Sequence, residues 1–212
     1  MNGTVLKTVA RGFVSRGFES HPLRHKSSLI PVPRFHRLVI MTSLLVVGDT
    51  HVRVWEDEMN SKLRTLISEA DIAIHCGDWV SLDAVEGFRH DAKSHAVVSG
   101  NSDPRELRDA VPYIEILEIE QVRIGITHPA WAGPEPSLDE LLLDFPTEKF
   151  GMLDVICYGH THVPEISSHK NITFVNGGQG YPSLFVPGTY ATIEISKSGD
   201  IDAQIHEFAE AL

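Results

Sequence analysis

The sequence predicts an α/β protein of two packed sheets with helices outside. Three observations carry this. Short apolar runs alternate with amphipathic stretches from residue 43 to about 101, the β-α-β-α-β rhythm of parallel strands joined by helical crossovers. Beyond residue 113 the chain changes to short strands, several of alternating polarity. Several of the apolar runs also stop at glycine followed at once by a polar side chain.

Taken in order, residues 44–47 (Leu-Leu-Val-Val) form a buried strand ending at Gly48-Asp49. Residues 56–70 read as one helix, with Met59, Leu63, Leu66, Ile67 and Ala70 recurring on a single face. A second strand, 72–76, ends at Gly77-Asp78, and a helix over 81–92 follows with Ser81 as its N-cap. A third strand, 96–99, ends at Gly100-Asn101. Residues 113–119 and 122–127 read as paired strands, the second ending at His128. A proline-rich loop and a helix near 137–144 precede the strand 153–158, which ends at Gly159-His160. Short strands at 163–167, 171–175, 189–195 and 201–207 complete the chain, the last two joined by a turn at Ser198-Gly199-Asp200.

Composition limits the partners. Of 18 Lys/Arg and 29 Asp/Glu, residues 1–40 hold seven and one, so residues 41–212 carry a formal charge of −17. A body that acidic repels long nucleic acid but leaves room for a small phosphate ester, because bound cations reverse the sign locally. No apolar run reaches the ~20 residues needed to span a bilayer, so no membrane partner is expected and a cytoplasmic protein is the default. Residues 1–41 read as an extension ahead of a domain at 42–212. Its Arg- and Ser-rich, acid-poor make-up reads either as a disordered or mis-started segment before Met41 or as an organelle-targeting peptide. Cys76 and Cys157 each lie within an apolar run and are read as buried thiols of a reducing compartment.

The strand ends carry the chemistry. Asp49, Asp78, Asn101, His128 and His160 each follow a strand, and His51 and His162 stand two residues beyond Asp49 and His160. Ligands of α/β sheets gather at the carboxyl ends of strands. In extended backbone, residues i and i+2 share a face, so D-x-H and H-x-H can each present two side chains to one centre. Carboxylate, carboxamide and imidazole suit manganese, iron, zinc, nickel or cobalt, and seven such groups exceed one tetrahedral ion. They fit two divalent ions sharing a carboxylate. Any one of these residues alone reads equally well as a cap, a turn or a hydrogen-bonded histidine. His75 is read as buried or supporting, His90, His95, His169 and His206 as surface or strand residues, Trp131 as a loop anchor, and Asp103 as a cap for the segment from Pro104.

In order, G-D-x-H at 48–51, G-D at 77–78, G-N at 100–101, His128 and G-H-x-H at 159–162 resemble the calcineurin-like metallophosphoesterase signature. The body is similar to the small bacterial and archaeal phosphodiesterase branch. The resemblance runs from about 43 to about 207 and implies a four-layer α-β-β-α sandwich of two mixed sheets flanked by helices. It implies a first metal on Asp49, His51 and His162, a second on Asn101, His128 and His160, and Asp78 as the bridge. Manganese is the first choice of ion. The implied reaction is hydrolysis of a small phosphodiester, or an activated monoester, by a metal-bound hydroxide. The alternative is a scaffold resembling a retromer subunit with a vestigial metal site. Three departures stand out: Ser102 where phosphatase branches place a leaving-group histidine, Pro129 where glycine is usual, and Asn176-Gly177-Gly178-Gln179 where N-P-G-S is common.

Overall fold

The computed structural model describes residues 41–129 and 137–212. The readings of the N-terminal segment and of Trp131 fall outside the described residues. Strand β1 is Met41–Val47, followed by helices α1 (Trp55–Glu58) and α2 (Ser61–Glu69), strand β2 (Ile72–His75), helix α3 (Leu82–Asp91) and strand β3 (His95–Val97). Helix α4 (Arg105–Ala110) leads to the antiparallel pair β4 (Ile114–Ile119) and β5 (Val122–Thr127). Helix α5 (Leu138–Leu141) runs into a 3₁₀ turn at Leu142–Asp144, and helix α6 (Thr147–Phe150) follows. Strands β6 (Val155–Tyr158), β7 (Glu165–His169), β8 (Ile172–Asn176), β9 (Gly188–Ser196) and β10 (Ile201–Ala209) complete the fold.

The strands form two mixed five-stranded sheets, ordered β10-β9-β1-β2-β3 and β4-β5-β6-β8-β7. In the first, β1, β2 and β3 are parallel and β9 returns antiparallel beside β1. In the second, β5, β6 and β8 are parallel. The alternation of side chains makes four layers from two sheets. Leu44, Val46, Ile74 and Cys76 face Ile124, Ile126, Cys157 and Val175 in a core between the sheets. Leu45, Val47 and Ala73 point the other way, onto Trp55, Leu63, Ile67, Val85 and Phe88 of the first helical layer. On the far side Ile156, Tyr158 and Phe174 pack beneath Leu141, Phe145 and Phe150. A strand buried on both faces reads as unbroken Leu-Leu-Val-Val, and each such side chain, fully buried, contributes roughly 1.5–3 kcal/mol. No helix among the described residues is long and apolar enough to cross a membrane.

Two local expectations are corrected. The helix expected over 56–70 is broken: Met59 is extended (ψ 134°), and the Asn60 side chain accepts from the Lys62 N–H at 2.9 Å and starts α2 afresh. Asparagine caps a helix better than it continues one. Asp103 does not cap α4, whose N-cap is Pro104. Its carboxylate instead accepts from the backbone N–H groups of Trp79, Val80 and Gly100 at 2.7–2.8 Å. Ser81 does cap α3, accepting from the Ala84 N–H at 3.0 Å.

Candidate metal centre

The carboxyl ends of β1, β2 and β3 open onto the same edge as those of β5 and β6, and all seven side chains singled out above meet there in two groups. In the first, His162 Nε2 lies 3.3 Å from Asp49 Oδ1 and 3.4 Å from His51 Nε2, and His51 Nε2 lies 3.7 Å from Asp78 Oδ2. One ligand-type atom from each of Asp49, His51, Asp78 and His162 falls within 4.8 Å of all the others. In the second, Asn101 Oδ1 lies 2.9 Å from His128 Nε2 and 2.7 Å from His160 Nδ1, and His128 Nε2 lies 3.4 Å from Asp78 Oδ1. The two oxygens of Asp78 therefore face different groups.

The backbone that delivers these side chains is unusual. Asp49 (φ 52°), His51 (51°), Asp78 (59°), His160 (86°) and His162 (60°) are all left-handed, a conformation that non-glycine residues seldom adopt. Such positions cluster where a site over-determines them. This corrects the i, i+2 argument from extended strands: both D-x-H and H-x-H turn sharply instead. Asp49 and His51 do reach one group, but His160 and His162 diverge, one to each. The turned backbone is tied down by the Asp49 N–H donating to the Gly77 carbonyl at 2.9 Å and the His51 N–H to the Asp78 carbonyl at 3.1 Å. The His160 N–H in turn lies 3.1 Å from Asp49 Oδ2. Glycine is needed before Asp78 because Gly77 has φ +89°, and before Asn101 because a Cβ on Gly100 would sit 2.1 Å from Asp78 Oδ1.

The donor set fits cations. His128 is fully buried, and its Nδ1 lies 2.7 Å from the Cys76 carbonyl, which can only accept, so Nδ1 carries the proton. In the neutral ring Nε2 then aims a lone pair at two oxygens, those of Asn101 and Asp78. Lone pairs converging in this way repel unless positive charge lies among them, and a divalent ion supplies it. In the other group the Asp49 carboxylate, hydrogen-bonded to His162, raises that imidazole's pKa, while burial and the neighbouring His128 lower that of His160.

Several supporting residues escaped the sequence reading. Ser102 donates both its N–H and its hydroxyl to Asp78, at 2.8 Å each. Gln179 is buried; its Nε2 donates to the Tyr181 carbonyl at 2.8 Å and the Ser183 hydroxyl at 3.1 Å, and its side chain adds, after Asp49, to the rise in the His162 pKa. Asn176 ends β8 on the same edge and its Nδ2 donates to the Thr161 hydroxyl at 3.1 Å. Applying the strand-end rule to β8 would have found it. His75, read as buried or supporting, is buried; its Nδ1 accepts from the Gly77 N–H at 3.2 Å, so Nε2 holds the proton and donates to Thr50 Oγ1 at 3.0 Å. Burial holds its pKa well below the usual histidine value.

A family model described as the calcineurin-like phosphoesterase superfamily domain matches residues 42–198. The chain belongs to this superfamily. Within it, the chain is 34% identical over 133 residues to a probable metallophosphoesterase of Methanocaldococcus jannaschii, a match spanning 63% of this chain and 65% of that protein. A phosphodiesterase of the same organism is 26% identical over 154 residues, spanning 63% of this chain and 81% of the relative. Among solved structures, a Thermotoga maritima protein determined by solution NMR aligns with a TM-score of 0.60 at 29% identity, covering 79% of this chain and 99% of that one. Vacuolar Protein Sorting 29 from Cryptosporidium parvum aligns with a TM-score of 0.57 at 21% identity, covering 80% and 98%, a likeness of fold alone. The fold, two mixed sheets flanked by helices, is thus shared with these two solved structures.

Proposed function

We propose that residues 42–212 form a phosphoesterase that hydrolyses small phosphodiesters, and activated phosphomonoesters, at two divalent ions. The observation that carries this is the orientation of Asp78, whose Oδ2 faces His51 and whose Oδ1 faces His128. One ion would be held by Asp49, His51, His162 and Asp78, the other by Asn101, His128, His160 and Asp78. The oxygen and nitrogen ligands suit manganese first, with iron, nickel, zinc or cobalt as alternatives. When bound, the ions would supply Lewis acidity, lowering the pKa of a water and neutralising charge on the phosphoryl oxygens.

The chain's own residues set the rest. Ser102 and Gly100 hold the Asp78 carboxylate in place, the first by donation and the second by leaving room for it. The residue after Asn101 is no spare acid, because the Ser102 hydroxyl is committed to Asp78. Leaving groups that depart without a placed proton donor are favoured, which supports aryl diesters over alkyl monoesters. The formal charge of −17 on residues 41–212 disfavours long polyanions and supports a small substrate. Both cysteines are buried and free, which supports a cytoplasmic setting.

The test is a comparison of kcat/KM for bis-p-nitrophenyl phosphate and a simple alkyl monoester, at one pH with manganese. The diester should be cleaved faster, by about 10²-fold or more, the usual worth of general-acid help. Equal or reversed preference refutes the substrate class. A scaffold with a vestigial site would turn over neither ester even when loaded with metal, so the same assay separates that alternative.

A further inference from the structure

Among the described residues, one ring from outside the seven lies against them. Tyr181 stands edge-on to His51, with centroids 6.0 Å apart, and to His162, at 6.3 Å. Its place is built rather than incidental. The Gly180 N–H donates to the Gly48 carbonyl at 2.9 Å, one residue before Asp49, and the Tyr181 carbonyl accepts from Gln179. The ring is only partly covered, and no hydrogen bond within the described residues fixes its hydroxyl. Apolar side chains are exposed on the same loop, Leu184 and Phe185, and on the segments that carry the two histidines, Val54 and Val163. Among the described residues the other flank of the centre is polar, with Asn101 and Ser102 both exposed.

This asymmetry matters for a diester, which has one arm that departs and one that stays. Negative charge grows on the departing oxygen, which is better placed on a polar than on an apolar surface. The arm that stays gains no such charge and can rest on apolar surface. We infer that Tyr181 is a specificity-determining residue of this site, its ring forming the wall against which an aromatic group retained on the phosphate lies; the inference rests on the phosphodiesterase reading above. Aromatic rings pair edge-to-face or offset with centroids about 4.5–7 Å apart.

Two substrates with the same leaving group isolate the retained arm: bis-p-nitrophenyl phosphate and methyl p-nitrophenyl phosphate. In the manganese-loaded full chain, Tyr181→Ala should lower the ratio of kcat/KM for the aryl over the methyl ester by about fivefold to tenfold, mainly through KM. Tyr181→Leu, which keeps bulk and apolarity, should lower the ratio too, and Tyr181→Phe should keep it. Bound manganese, measured on each variant, should match the wild type. A ratio unchanged in Tyr181→Ala, or lost equally in Tyr181→Phe, overturns the assignment. A manganese-loaded wild type that cleaves neither ester overturns the phosphodiesterase reading instead, and the assignment falls with it.

Discussion

Ser102 grips both oxygens of Asp78, its backbone N–H on Oδ1 and its hydroxyl on Oδ2, each at 2.8 Å. The carboxylate proposed to bridge two ions is thereby fixed in rotation. Removing the hydroxyl with Ser102→Ala should weaken divalent-ion binding by about tenfold, the lower end of what such supporting contacts are worth. Asp78→Asn should lose ions and turnover together. Calorimetric titration with manganese reads both, and near-wild-type binding in Asp78→Asn would remove Asp78 from the centre.

Gly100 leaves no room for a side chain, since a Cβ there would also lie 2.4 Å from the Asp78 backbone nitrogen. Gly100→Ala must therefore push the bridging loop away. The expected result is loss of ion binding with a stability cost of about 1–3 kcal/mol. Denaturant melts and metal analysis of the same preparation check it. An alanine variant that melts and loads like the wild type would show that the loop yields freely.

Gln179 acts on His162, adding to the rise in its pKa, while its amide nitrogen holds the Tyr181–Val186 loop. Gln179→Leu should weaken ion binding in the Asp49–His51–His162 group by about 10–100-fold and spare the other group. Two-step calorimetry distinguishes this from a general loss of fold, which would weaken both steps alike.

The Asp139 carboxylate, at α5, is met by Lys170 Nζ at 2.6 Å from the β7–β8 turn and by His169 Nε2 at 2.8 Å from the end of β7. Lys170 first and His169 second hold its pKa down to about 2. The unfolded value is about 3.9. A depressed carboxylate contributes stability above its unfolded pKa and loses it as the pH falls through the folded one. The contribution of this pair should thus be present at pH 5 and vanish as the pH drops from about 4 to about 2. NMR titration of Asp139 decides it; a midpoint near 4 would show that the ion pair does not form in solution.

Much of the site was legible because its residue types recur at strand ends, and strand ends are visible as apolar runs that stop. Asp49, Asp78, Asn101, His128 and His160 needed only that rule. Their backbone was not legible: nothing in D-x-H announces a left-handed turn, since hydrogen bonds donated to the carbonyls of Gly77 and Asp78, distant in sequence, stabilise it. Ser102 and Gln179 were missed for a related reason, as each acts on a partner that only folding brings near. Within the fold, the break at Asn60 was hidden because Met59, Leu63 and Ile67 keep a helical spacing across it and all three are buried.

Asp49, Asp78 and Asn101 leave one sheet, and His128, His160 and His162 leave the other. Between the sheets lies an apolar layer whose two cysteines remain unbonded. Ions held across that edge would act as rivets, since neither sheet could peel away without releasing them. An ion at a hundred times its dissociation constant adds about 2.7 kcal/mol to the folded state. The lifetime of the chain in a cell would then follow the supply of free metal, and starvation for that metal would deplete the protein as well as silence it.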